Sequence, residues 1–134
     1  MVRRVLVVED NEDWRAIMSL FLTRMGYEVV QATDGIEAIQ KATGERPDLI
    51  LMDHKLPKMS GLEATARIKE NPSTTDIPVV LCTAFGPEAY KNNPIVNSLA
   101  EIVQKPIRLE AFQALVQKYL PSLNPINIAD SQAV

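Results

Sequence analysis

An α/β fold built on a parallel sheet is what the patterning of this chain predicts, and three observations carry that expectation. Short apolar runs recur at residues 3–8 (RRVLVV, rich in β-branched residues after its two arginines), 49–52 (LILM, with no polar break) and 77–82 (IPVVLC). Such runs suit strands buried on both faces of a parallel sheet. Between them lie segments whose apolar residues recur at three- and four-residue intervals, the mark of amphipathic helices. Strand and helix alternate strictly through five units, which argues for helices on both faces of the sheet. The expected architecture is a doubly wound, five-stranded parallel sheet in the flavodoxin-like order 2-1-3-4-5, with five helices and a switch point between the first and third strands.

Taken in order, the first strand ends at Glu9-Asp10-Asn11, and Glu12-Asp13 opens a helix where acids suit the positive end of the dipole. Trp14, Ile17, Met18, Phe21, Leu22 and Met25 form its apolar stripe, and Gly26 stops it. Residues 27–31 make a second strand. Asp34-Gly35 starts a helix carrying Ile36 and Ile39 that is expected to end near Gly44. The third strand runs into Asp53, and the turn residues Pro57, Ser60 and Gly61 lead to a helix over residues 62–70, closed by Asn71-Pro72. After the fourth strand comes Thr83-Ala84-Phe85-Gly86-Pro87. A helix is expected over residues 88–99, short, irregular or displaced, because Pro94 removes a hydrogen bond and clashes with the preceding turn. Residues 100–104 form the fifth strand, followed by Lys105-Pro106. The last helix spans about residues 108–120, with Leu109, Phe112, Leu115, Val116 and Tyr119 facing inward.

The 134 residues suit one domain, taken as residues 1–120, with 121–134 as a flexible tail or linker stub. A net charge of −3 offers no basic field for nucleic acid. The one cysteine, Cys82, sits in an apolar run, which excludes an internal disulfide and fits a reducing compartment. No apolar segment approaches the roughly 20 residues that span a bilayer. A cytoplasmic protein with no membrane insertion is expected, and the residues after Leu120 are too few for a DNA-binding module.

The predicted strand order makes the first and third strands neighbours, so Glu9, Asp10 and Asp53 converge. Three crowded carboxylates repel one another unless a cation neutralises them, and all-oxygen ligands favour a hard divalent ion, Mg²⁺ above all. The fourth strand brings Thr83 to the same rim and the fifth brings Lys105. A hydroxyl and an ammonium opposite a metal and a carboxylate are what a phosphoryl group in transfer needs, with an Asp oxygen attacking in line. Taken singly, Asp53 or Thr83 could be a turn or helix cap, and Lys105 a surface charge.

With the acid pair Glu9-Asp10, Asp53 backed by Pro57 and Gly61, Thr83-Ala84, and Lys105-Pro106, residues 3–120 resemble a receiver (CheY-like) domain of a two-component response regulator. The resemblance implies that Asp53 accepts a phosphoryl group from the phosphohistidine of a sensor histidine kinase or a histidine phosphotransfer protein. It implies Mg²⁺ held by Glu9, Asp10, Asp53 and the backbone carbonyl of Lys55. Thr83 and Lys105 would bond the phosphoryl oxygens, and a downstream protein target would read the changed surface. It also implies a cis Lys105-Pro106 bond. Such a protein catalyses its own phosphorylation and slow dephosphorylation and turns over no metabolite. Three departures follow. The position three before the lysine, usually aromatic in this family, is Ile102. Pro94 makes the fourth helix unusual. Lys55 and Phe85, with Ala84 beside them, occupy the positions that flank the path of the hydrolytic water, which implies a long-lived phosphoaspartate. His54 is expected to point to the opposite side from Asp53 and to pack. Two rival readings remain in view. A Mg²⁺-dependent Asp-nucleophile phosphatase would usually place a second Asp where Lys55 stands, and a phosphate-independent receiver-fold binding module would not need the complete acid, Thr and Lys set.

Overall fold

A computed structural model describes residues 2–121. The elements follow in the order β1 (Arg4–Val8), α1 (Glu12–Arg24), β2 (Glu28–Ala32), α2 (Gly35–Glu45), β3 (Leu49–Asp53), α3 (Gly61–Glu70), β4 (Val79–Thr83), two 3-10 turns (Pro87–Tyr90 and Pro94–Ser98), β5 (Glu101–Gln104) and α4 (Leu109–Tyr119). The sheet is five-stranded in the order β2-β1-β3-β4-β5, and every neighbouring pair is parallel. The fold is therefore the doubly wound sheet that the alternating pattern predicts.

Alternation along the strands explains the two cores. Val5, Val7, Leu49, Leu51, Val80 and Cys82 face one side, where Met18 and Leu22 of α1 and Phe112, Leu115 and Val116 of α4 cover them. Leu6, Val8, Ile50, Met52, Val79 and Leu81 face the other, covered by Ala38 and Ala42 of α2 and Leu62, Ala64 and Ile68 of α3. Because both faces are buried there, the inner strands β1, β3 and β4 are apolar through Val5–Val8, Leu49–Met52 and Val79–Cys82, as a parallel sheet between helices demands, while the edge strands β2 and β5 are more exposed. Of the α1 stripe, Ile17 remains 42% exposed, as does Ile36 of α2.

Helix ends follow side-chain chemistry. Asn11, Asp34 and Ser60 each accept a hydrogen bond from a backbone N–H of the first turn of α1, α2 and α3. Gly26, just past α1, takes φ +94, a left-handed value that glycine adopts without a steric penalty. The α2 helix passes Gly44 and ends at Arg46, itself left-handed, because a helix cannot run through the residue before Pro47.

Of the five expected helices, the fourth, over residues 88–99, is absent: the described residues hold four α-helices, and two short 3-10 turns stand between β4 and β5. Each turn begins with a proline, whose fixed φ suits a first helical position and whose missing N–H cannot extend a preceding helix. The Asn93 side chain accepts from the Ile95 N–H, restarting the chain as a second turn. Of the proposed tail, everything after Pro121 lies outside the described residues. Among the described residues, no helix is long and apolar enough to cross a membrane.

Candidate functional site

The carboxyl ends of β1, β3, β4 and β5 meet at one edge of the molecule. Glu9 continues β1, its N–H donating to the Ala32 carbonyl at 3.0 Å. Its side chain is buried, at 3% exposure, and the Asn11 N–H donates to its Oε2 at 3.2 Å. Arg15 of α1 donates to the Glu9 carbonyl oxygen at 2.9 Å, fixing the backbone from which Asp10 projects. Asp10 is exposed, and Asp53, the last residue of β3, is half-buried with Oδ1 accepting from the His54 N–H at 2.8 Å. One carboxylate oxygen from each of Glu9, Asp10 and Asp53 lies within 4.8 Å of the others.

The loop after Asp53 is held against the strand. The Gly61 N–H donates to the His54 carbonyl at 2.8 Å, and a Cβ at Gly61 would run into the backbone carbonyl of Asp53. Glycine is thus what allows α3 to begin so near the acid.

Lys105 spans the site. Its backbone N–H donates to the Thr83 carbonyl at 2.6 Å, its bond to Pro106 is cis, and its Nζ lies 2.6 Å from Glu9 Oε1 and 3.4 Å from Asp53 Oδ2. Burial alone would push this ammonium down. The hydrogen bond to Glu9 and the charges of Asp53 and Glu9 outweigh burial and hold it above its usual range. Three carboxylates against one ammonium leave two negative charges on oxygen ligands, which a hard divalent ion matches in charge and chemistry.

The other predicted residues are placed as follows. Thr83, at the end of β4, is 1% exposed; its Oγ1 accepts from the Phe85 N–H at 3.1 Å and shares a 2.6 Å hydrogen bond with the Tyr90 hydroxyl. Lys55 and Phe85 meet each other, with the ammonium 5.9 Å from the ring centre, so the loops after β3 and β4 touch through this pair. The Ala84 carbonyl accepts from the Gln104 side chain at 3.4 Å. Ile102 is half-buried and packs against the second core. His54 turns away from Asp53 and meets the Tyr90 ring edge-to-face at 5.2 Å. Burial, and then the Lys55 charge, push its imidazole below the usual histidine range.

Tyr90 is the residue that sequence reasoning missed. It lies in a stretch without helical periodicity, but PEAYKNNP offers one large ring among polar and small residues between two prolines. A ring in that setting is the natural anchor for an otherwise exposed segment.

Similarity to known proteins agrees with this geometry. Residues 5–117 match the family model for the response regulator receiver domain. The polar-differentiation response regulator DivK of Brucella anthropi is 35% identical over 120 residues, spanning 90% of this chain and 98% of the relative. The receiver domain of a sensor histidine kinase from Pseudomonas aeruginosa, solved with a magnesium ion coordinated in its active-site cleft, superposes with a TM-score of 0.82 at 29% identity, covering 91% of this chain and all of that one. Response regulator TrrA of Thermotoga maritima, solved in complex with Mg²⁺ and beryllofluoride, gives 0.79 at 29% identity, over 89% of this chain and 100% of the other. The chain belongs to the response regulator receiver domains of two-component signalling, signalling modules rather than metabolic enzymes, which work with histidine kinases or phosphotransfer proteins.

Proposed function

We propose that Asp53 is the phosphoacceptor of this receiver domain. A carboxylate oxygen of Asp53 attacks the phosphorus of a phosphohistidine on a sensor histidine kinase or histidine phosphotransfer protein. The new P–O bond forms as the P–N bond breaks, and the electron pair leaves with the imidazole nitrogen. The observation that carries this reading is the position of Lys105, whose ammonium bridges Glu9 at 2.6 Å and Asp53 at 3.4 Å. It stands where it can neutralise a phosphoryl oxygen bound to Asp53. Glu9, Asp10, Asp53 and the Lys55 carbonyl would hold Mg²⁺, which when bound supplies charge neutralisation for the phosphoryl oxygens. Thr83 supplies a hydroxyl from the adjacent strand. The output is a changed surface offered to a downstream protein, with no direct nucleic-acid contact.

Incubation with acetyl phosphate and Mg²⁺, followed by intact mass measurement, tests this. The expected result is a gain of one phosphoryl group that is absent in Asp53→Asn and absent when a chelator removes the metal. No gain, or a gain that persists in Asp53→Asn, overturns the proposal.

A further inference from the structure

We infer that Tyr90 is a latch: its hydroxyl holds Thr83 on the face of the sheet away from Asp53, so that phosphorylation and release of the segment between β4 and β5 are one event. The inference rests on the acceptor reading of Asp53 and extends it to a residue outside that site.

The strand pattern supplies the first step. Asp53 pairs in register with Cys82, and Cys82, Val80 and Leu51 belong to one core, whereas Val79 and Leu81 belong to the other. Alternation therefore assigns Thr83 to the second face, the side where Tyr90 lies, and Asp53 to the first. The Thr83 hydroxyl has one proton and two lone pairs, and it is engaged by the Phe85 N–H at 3.1 Å and the Tyr90 hydroxyl at 2.6 Å. To serve a phosphoryl oxygen on Asp53, Thr83 has to turn out of this arrangement.

The second step concerns what Tyr90 holds in place. From Ala84 to Ala100, Tyr90 is the only buried residue, at 5% exposure. The two 3-10 turns are otherwise exposed or half-buried, and the second has no buried residue. The Tyr90 ring lies edge-to-face on His54, which directly follows Asp53, and joins the core against which Ile95, Val96, Leu99 and Ile102 pack. A segment with one buried anchor and short 3-10 turns belongs to the low-stability end of a structure. Loss of the Thr83 bond loosens that anchor, and a two-state segment responds to the phosphoryl group through one hydrogen bond.

The test uses the full chain and beryllofluoride with Mg²⁺ as the phosphoryl probe, with affinity measured by calorimetry and hydrogen exchange followed over residues 86–98. Tyr90→Phe removes only the hydroxyl. It is expected to tighten beryllofluoride binding about three- to tenfold, the factor that one net hydrogen bond represents. In a Thr83→Val background the same substitution is expected to change nothing, because the bond is already gone. Exchange over 86–98 is expected to rise on beryllofluoride binding in the wild type and to be raised already in free Tyr90→Phe. Equal or weaker binding by Tyr90→Phe, or a shift that survives in Thr83→Val, overturns the latch while leaving the acceptor intact. A wild type that binds beryllofluoride no better than Asp53→Asn overturns both.

Discussion

Lys55 and Phe85 are the two side chains through which we propose that the lifetime of a phosphoaspartate at position 53 is set. They sit two residues beyond Asp53 and Thr83, on separate loops, and the ammonium rests 5.9 Å from the ring centre. A cation–ring pair of this kind is worth about 0.5–1 kcal/mol at an exposed site, enough to favour a closed arrangement without locking it. On the acceptor role proposed for Asp53, such a pair would hinder a water approaching the acyl phosphate. The expected outcome is a phosphoaspartate that outlasts seconds, and a several-fold faster loss in the Lys55→Ala/Phe85→Ala double variant, followed by mass after removal of the phosphodonor. Loss within seconds in the wild type contradicts the screening role. Gly61 makes the opposite point, that an absent side chain can be structural. A Cβ there meets the Asp53 backbone, so Gly61→Ala is expected to cost about 1–3 kcal/mol in urea unfolding, with the damage centred on Asp53. The placement of Lys105 beside Glu9 and Asp53 was legible in the sequence because it follows the fifth strand, whose end the predicted strand order brings to the same rim. Tyr90 was not, because its partner Thr83 is brought to it by tertiary structure across an aperiodic segment.

Among the elements, α2 shows how a cap ties a helix to the site loop. Asp34 Oδ1 accepts from the Glu37 N–H at 2.7 Å, and its other oxygen lies 3.5 Å from Lys58 Nζ in the loop that follows Asp53. The Glu37 hydrogen bond, helped by Lys58 and opposed by burial, holds the Asp34 carboxyl below its ordinary value of 3.8. A depressed folded-state value means this stabilisation is fully present above 3.8 and is lost as pH falls through the lower folded value. Asp34→Ala is therefore expected to cost about 1 kcal/mol near neutral pH, and the gap to wild type is expected to shrink as pH falls below 3.8 in paired urea titrations. A gap that stays constant across that range contradicts the cap. The inner strands β1, β3 and β4 were legible because burial on both faces makes their runs almost wholly apolar, whereas the edge strands β2 and β5 carry polar residues and were placed by the alternation of elements. The segment between β4 and β5 was legible only as a disturbance: Pro94 signalled that a regular helix could not form, but a second proline-led turn at Pro87 was needed to replace it with two 3-10 turns.

For the molecule as a whole, the site exists because the strand order places the ends of four strands at one edge, and that order follows from the alternation of strands and helices. Cys82 shows how dry the sheet is directly beneath it: fully enclosed, its thiol is pushed up by burial to about 12 and is chemically inert in the folded state. A rigid, dry support of this kind holds charged groups at fixed spacing, which transfer to a single acid requires. The central claim is that one acid, Asp53, is phosphorylated, although Glu9, Asp10 and His54 are close by. Borohydride reduction, which converts an aspartyl phosphate to homoserine, followed by peptide sequencing of the acetyl phosphate-treated chain, tests this most directly. Homoserine at position 53 and nowhere else is the expected result. Modification at Asp10, or a phosphoryl group that resists reduction because it sits on His54, would contradict it.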